Sequence, residues 1–198
     1  MRVSALGFAR IRDNAGRYCL LLNRGRLKHN GIRILSPIGG GFEAEPIGMA
    51  HLLHLGASHF EGKNELRFRI PDQQIEDVIS WFNQRIQRET SVGRELAEEL
   101  TSETTALTVD DLTDLVEKFS GFSRYNDVTA RTNVPDKQTA YLIDVFDVRL
   151  SAEAMRKLLV AASQSVAERW VYFVSCDEMA AGVTHDGVAI GPISHSVM

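Results

Sequence analysis

Two apolar, β-favouring stretches, residues 3–12 and 18–24, flank Asp13-Asn14-Ala15-Gly16. Asp, Asn and Gly accept the tight backbone of a chain reversal, so this segment reads as an antiparallel hairpin. A hairpin alone is marginal in water and must find more strands or a covering helix. The chain offers both. Residues 31–36 (GIRILS) read as a third strand stopped by Pro37 and the glycines that follow. Residues 65–70 (ELRFRI) alternate like a strand, and residues 119–129, 139–150 and 169–175 have the same β-favouring texture. A loop holding Asn133-Val134-Pro135-Asp136 separates two of them.

Helices are expected between these strands. Residues 49–55 form a short apolar run, and Pro71-Asp72 opens a helix with Ile75, Val78, Ile79 and Phe82 at helical spacing. Residues 91–100 follow, then a helix from Thr108 through Glu117, opened by a capping box with Asp111 in place of Glu. Residues 152–162 carry a Met155, Leu158, Leu159 stripe, and residues 177–181 make a last short helix. The expectation is an α/β (α+β) chain with a mixed sheet, forming a single domain over residues 1–198.

Bulk properties narrow the function. A net charge of −4 gives no reason to expect nucleic acid or an anionic membrane as partner. No apolar run is long enough to span a bilayer, and the charged, alternating start is unlike a signal peptide, so the expected compartment is cytoplasmic. Cys19 and Cys176 lie in apolar stretches and read as buried free thiols. His51, His54 and His59 lack zinc-ligand spacing and read as packing or surface residues.

The chemistry concentrates in Arg94-Glu95-Leu96-Ala97-Glu98-Glu99. On a helix, i, i+3 and i+4 share a face, so Glu95, Glu98 and Glu99 converge while Val92 and Leu96 are left for packing. Like charges so placed cost a helix about 0.2–0.5 kcal/mol per pair, a sign that a hard divalent cation reverses. Arg94 is placed to orient Glu95 by a bidentate contact. A solvated acidic face is the alternative reading of the same residues.

Hairpin, strand, Gly39-Gly40-Gly41-Phe42-Glu43 and then Arg-Glu-Leu-x-Glu-Glu, in that order, resemble the Nudix hydrolase superfamily. Its signature runs Gly, five residues, Glu, seven residues, then Arg-Glu-aliphatic-x-Glu-Glu-x-Gly-aliphatic. Gly39 and Glu45 match the first half, with Gly40, Gly41 and Glu43 beside them, and Arg94, Glu95, Leu96, Glu98 and Glu99 match the second. Residues 139–150 and 169–179 are similar to the late strands and short acidic helix of such domains. Between Glu45 and Arg94 lie 48 residues where the family has seven, an excess of 41 that reads as a helical insertion at about 46–88. After Glu99 the chain has Leu100-Thr101-Ser102 where the family has x-Gly-aliphatic. A box split in this way resembles the branch associated with bacterial conflict and nucleotide-signalling systems.

The resemblance implies an α/β/α sandwich and hydrolysis of a pyrophosphate bond in a nucleoside diphosphate derivative. It implies Mg²⁺, or Mn²⁺ in its place, on Glu95, Glu98 and Glu99. Arg94, Glu95 and Glu98 become the catalytic candidates, with Glu95 or a nearby carboxylate as general base. Gly39, Gly40 and Gly41 let backbone approach a ligand. Arg24, with Arg26 beside it, reads as a phosphate contact, and Phe122, Arg124, Tyr125 and Arg131 as a surface to stack on a base and hold phosphate. Two other readings compete: a nucleotide-binding sensor without turnover, and an interaction module whose insertion makes a homodimer or lid.

Overall fold

The computed structural model describes residues 1–129 and 137–198. The 133–136 loop and Arg131 lie outside the described residues. Strands β1 (Arg2–Arg10), β2 (Tyr18–Leu22), β3 (Ile34–Gly41), β5 (Val116–Thr129), β6 (Lys137–Arg149) and β7 (Val171–Val174) are hydrogen-bonded in the order β5-β6-β1-β3-β2-β7. β4 (Arg67–Arg69) joins β1, and β8 (Ala189–Ile190) joins β3. β8 runs parallel to β3, whereas β4 on β1, β3 on β2 and β7 on β2 are antiparallel, so the sheet is mixed. Helices α1 (Arg24–Asn30), α2 (Pro46–His54), α3 (Ile75–Gln84), α4 (Gly93–Ala97), α5 (Ala152–Ala162) and α6 (Cys176–Ala181) complete the α/β chain.

Contacts group these elements into two compact units. The first comprises Met1–Gly7, Gly40–Ser91 and Gly121–Asp144. In it, Glu43–Glu45 is flanked by backbone on both sides. Ala44 N–H donates to Asn64 O at 2.8 Å; Glu45 N–H donates to Gln87 O at 2.9 Å, and Glu89 N–H to Glu43 O at 2.8 Å. The chain that leaves at residue 46 therefore comes back beside its own point of departure. Ile75, Val78 and Phe82 of α3 are buried, as their spacing predicts, and Trp81 with them, whereas Ile79 is half-buried. Gly48 lets α2 sit on this return, because a Cβ there would lie 2.3 Å from Gln87 O.

Arg88 is the unusual core residue of this unit. Its side chain is fully buried, with the guanidinium 3.7 Å from the Phe82 ring centroid and 5.2 Å from that of Phe42. It donates to Phe82 O at 2.7 and 3.0 Å, to Glu89 O at 2.7 Å and to the buried Asp144 at 2.9 Å. Arg85, at 2.5 Å, is a second partner of Asp144.

The second unit comprises Phe8–Gly39, Val92–Ser120 and Val145–Met198. β2 is its spine, with Leu20 opposite Pro37 on one side and Tyr172 on the other. Val92, Leu96 and Leu100 are fully buried and anchor α4 and the turn after it.

Several expectations change. β3 does not stop at Pro37 but continues through Gly41, and the segment after β2 is a helix, α1, rather than a strand end or loop. The capping-box residues near Thr108 are engaged, with Thr108 N–H and Oγ1 each donating to Asp111 at 2.8 Å. They open only a 3₁₀ turn, Asp110–Leu112, because no apolar stripe follows to hold a longer helix down. Cys19 is buried, but Cys176 is exposed at the start of α6.

Candidate functional site

Helix α4 starts without a side-chain cap; instead Glu117 accepts from the Val92 N–H at 3.1 Å. At Glu98 the helix widens into a π-helical turn, Glu98–Glu103. Where the resemblance expects a glycine, threonines satisfy the loose carbonyls. Thr101 Oγ1 donates to Ala97 O at 2.5 Å, and Thr104 donates to Glu99 O through both N–H (3.0 Å) and Oγ1 (2.9 Å). Such widened turns recur at functional sites.

Glu95 is buried, Glu98 exposed and Glu99 half-buried. Arg94 Nη1 lies 2.7 Å from Glu95 Oε1 and 3.9 Å from Glu98 Oε2. Glu99 Oε2 accepts the Gly39 N–H at 2.8 Å, 60 residues away in sequence. Gly39 has φ +137°, a conformation open to glycine and strained for other residues, and this backbone carries the N–H that meets Glu99. Burial pushes the Glu99 carboxyl up to about 8, against the pull of the Gly39 hydrogen bond; Glu95, Glu103 and Glu98 push it further. Glu103 joins them: it lies four residues after Glu99, on the same helical face, past the expected helix end at residue 100.

Among the described residues, no three His, Cys, Asp or Glu side chains form a ready metal-binding group. The donor set nevertheless suits a hard divalent cation. Its atoms are carboxylate oxygens under mutual repulsion, with a proton on Glu99 at neutral pH, and Mg²⁺ commonly uses only one or two carboxylates with water and substrate phosphate.

The other sequence candidates are distributed. In the first unit, a Cβ on Gly41 would come within 2.7 Å of Glu65, and the Glu65–Arg67 ion pair covers that glycine. Gly40 is half-buried at the end of β3. Glu43 and Glu45 are exposed, and Glu45 makes no side-chain cap to α2. On β5, Phe122 packs on Phe82 with centroids 5.8 Å apart, and Arg124 Nη1 pairs with Glu76 at 2.9 Å. Tyr125 packs on Tyr141 at 5.9 Å and its hydroxyl donates to Asp127 at 3.2 Å. All three thus have partners inside their own unit. Arg24, in the second unit, lies 5.5 Å over the Trp170 ring. His51 packs on Trp81 at 6.1 Å, and His59 lies beside Ser58.

Compared with protein families, residues 1–198 match the family described as the SMODS-associated NUDIX domain. Compared with curated proteins and with solved structures, the chain finds no match.

Proposed function

The chain belongs to the SMODS-associated NUDIX family, and from that premise we propose a divalent-cation-dependent hydrolase that cleaves the pyrophosphate bond of a nucleoside diphosphate derivative. The observation that carries the reading is the Gly39–Glu99 hydrogen bond, which joins the glycine run to the glutamate helix. Residue counting supports it. Glu45 meets Gln87 through the backbone, so we read residues 46–86 as an insertion whose ends close on each other. Omitting those 41 residues leaves seven, 87–93, between Glu45 and Arg94, the spacing of the family signature.

In this reading Glu95, Glu98 and Glu99 hold Mg²⁺ or Mn²⁺, which supplies charge neutralisation and a more acidic water. The chain's own residues do the rest. Arg94 orients Glu95 at 2.7 Å, so Glu95 is the carboxylate we assign to accept a proton from water. Glu99 would hold the cation in its deprotonated form, and the Gly39 N–H fixes one of its oxygens. The π-helical turn in place of the family's glycine favours a second reading, a nucleotide sensor with little or no turnover. We place the protein in the cytoplasm and in the conflict-associated branch on the same grounds.

The deciding experiment incubates the purified chain with Mg²⁺ or Mn²⁺ and a panel of nucleoside diphosphate derivatives, with Glu98→Gln and Glu99→Gln alongside. Turnover that the variants lose supports the hydrolase. Binding without turnover across the panel leaves the sensor. Neither binding nor turnover sinks both.

A further inference from the structure

A cavity of about 280 Å³ opens within the second unit, walled by Thr104, Arg156, Val160, Ala161, Gln164 and Trp170 among others. None of its walls is a glutamate of the α4 cluster. They combine a flat aromatic and apolar surface, hydroxyl and amide groups, and a cation. Among the described residues Arg156 is paired only with Glu153 on the same helix, and both side chains are more than half exposed, so that pair yields readily to a better anion.

The surroundings of Trp170 are electrostatically lopsided. Arg24 lies 5.5 Å over its ring and belongs to a run, residues 24–33, with Arg24, Arg26, Lys28 and Arg33 and no acid. Among the described residues, none of these four makes an ion pair. Several arginines elsewhere are matched: Arg2 with Glu61, Arg10 with Asp147, Arg88 with Asp144 and Arg169 with Asp186. Helix α1 buries no residue, so packing does not account for keeping cations there. A chain of net charge −4 leaves positive charge unmatched beside an aromatic-walled cavity.

We propose that this cavity is a binding site for a nucleoside monophosphate, with the base against Trp170 and the phosphate toward Arg24 and Arg156, separate from the glutamate helix. At about 280 Å³ the cavity sits at the small end of ligand pockets, which begin at roughly 300 Å³, so it is sized for a single small nucleotide and nothing larger. A stacked base uses the ring, its polar edges meet Thr104 and Gln164, and the phosphate meets Arg24 and draws Arg156 from Glu153. Thr104 also closes the π-helical turn on Glu99 O, so the occupant adjoins the end of the glutamate helix. The site stands on its own residues, whether or not the glutamates support turnover.

The test is titration of the full chain with AMP in EDTA, following tryptophan fluorescence and heat. AMP has no pyrophosphate bond, which separates this outcome from failure of the hydrolase reading. The expected result is saturable quenching, with adenosine and inorganic phosphate each binding more weakly. Arg24→Ala and Val160→Glu change an unburied helix and an exposed wall residue, and each weakens AMP by about tenfold or more. Glu98→Gln and Glu99→Gln leave it unchanged. No saturable binding overturns the proposal, as does phosphate binding as tightly as AMP. Loss in the glutamate variants with the cavity variants intact moves the nucleotide to the glutamates and overturns it too.

Discussion

Arg88 in the first unit and Glu99 in the second are both ionisable groups drawn away from water, and the chain treats them in opposite ways. Arg88 is enclosed by two aromatic rings, three carbonyl contacts and the Asp144 carboxylate, so its charge is matched within the fold. Glu99 has a single backbone donor and three further glutamates acting on it. A fold that stabilises itself at one charge leaves another short of positive partners. The difference marks the first as architecture, and it is the second that the proposed reading assigns to a cation.

The comparison breaks most visibly at Asp144. Asp144→Ala strips the counter-charge from a buried guanidinium and from Arg85, which costs about 3–5 kcal/mol of stability. Urea unfolding measures it. A loss below about 1 kcal/mol would mean that the Arg88 charge is held by the carbonyls and rings alone. Gly39→Ala comes next. It forces a side chain onto φ +137° and displaces the N–H from Glu99, at about 1–3 kcal/mol of strain. If stability and turnover both survive, the glycine is only a turn.

Glu99 gives the pH-dependent member of the set. Its carboxyl has an ordinary value of 4.5 and in the fold keeps its proton until about 8. Its contribution to stability is therefore full below 4.5 and is lost as pH rises toward 8. Glu99→Gln removes this loss, so the variant gains on the parent in Tm as pH increases across that window. Millimolar Mg²⁺ raises the parent's Tm more above pH 8 than at pH 6, because cation and proton compete for the carboxylate. An equal effect of Mg²⁺ at both pH values would place the cation elsewhere.

What the sequence made legible follows from which signals local patterns carry. Strong apolar periodicity located α3, α5, β6 and β7, and Val92 and Leu96 marked the buried side of α4, which Leu100 extends. Helix α1 escaped because it buries nothing and so has no apolar stripe; its signs were the Asn23 cap and the left-handed Gly31. β3 was cut short because Pro37 and glycines usually end a strand, yet Pro37 sits in register opposite Leu20. At the site, the glutamate triad is readable from helical spacing. Glu103 is not, because the expected helix ends at residue 100 whereas the chain stays helical to Glu103. The Trp170 cavity was hidden for another reason: its walls come from residues 104–106, 156–164 and 170–171, and no single window contains it.

The smallest stability effect sharpens the comparison most at Arg124. Sequence reading places it among substrate contacts, whereas the fold pairs it with the exposed Glu76 at 2.9 Å. A surface pair of this kind is worth about 0–1 kcal/mol, so Arg124→Ala is expected to shift the unfolding midpoint little. Its effect on catalysis then separates the two roles. If the arginine only ties β5 to α3, kcat and KM stay where they were. A rise in KM with unchanged stability would show that Arg124 leaves Glu76 for a substrate phosphate, and that the first unit also holds a charge in reserve for a ligand.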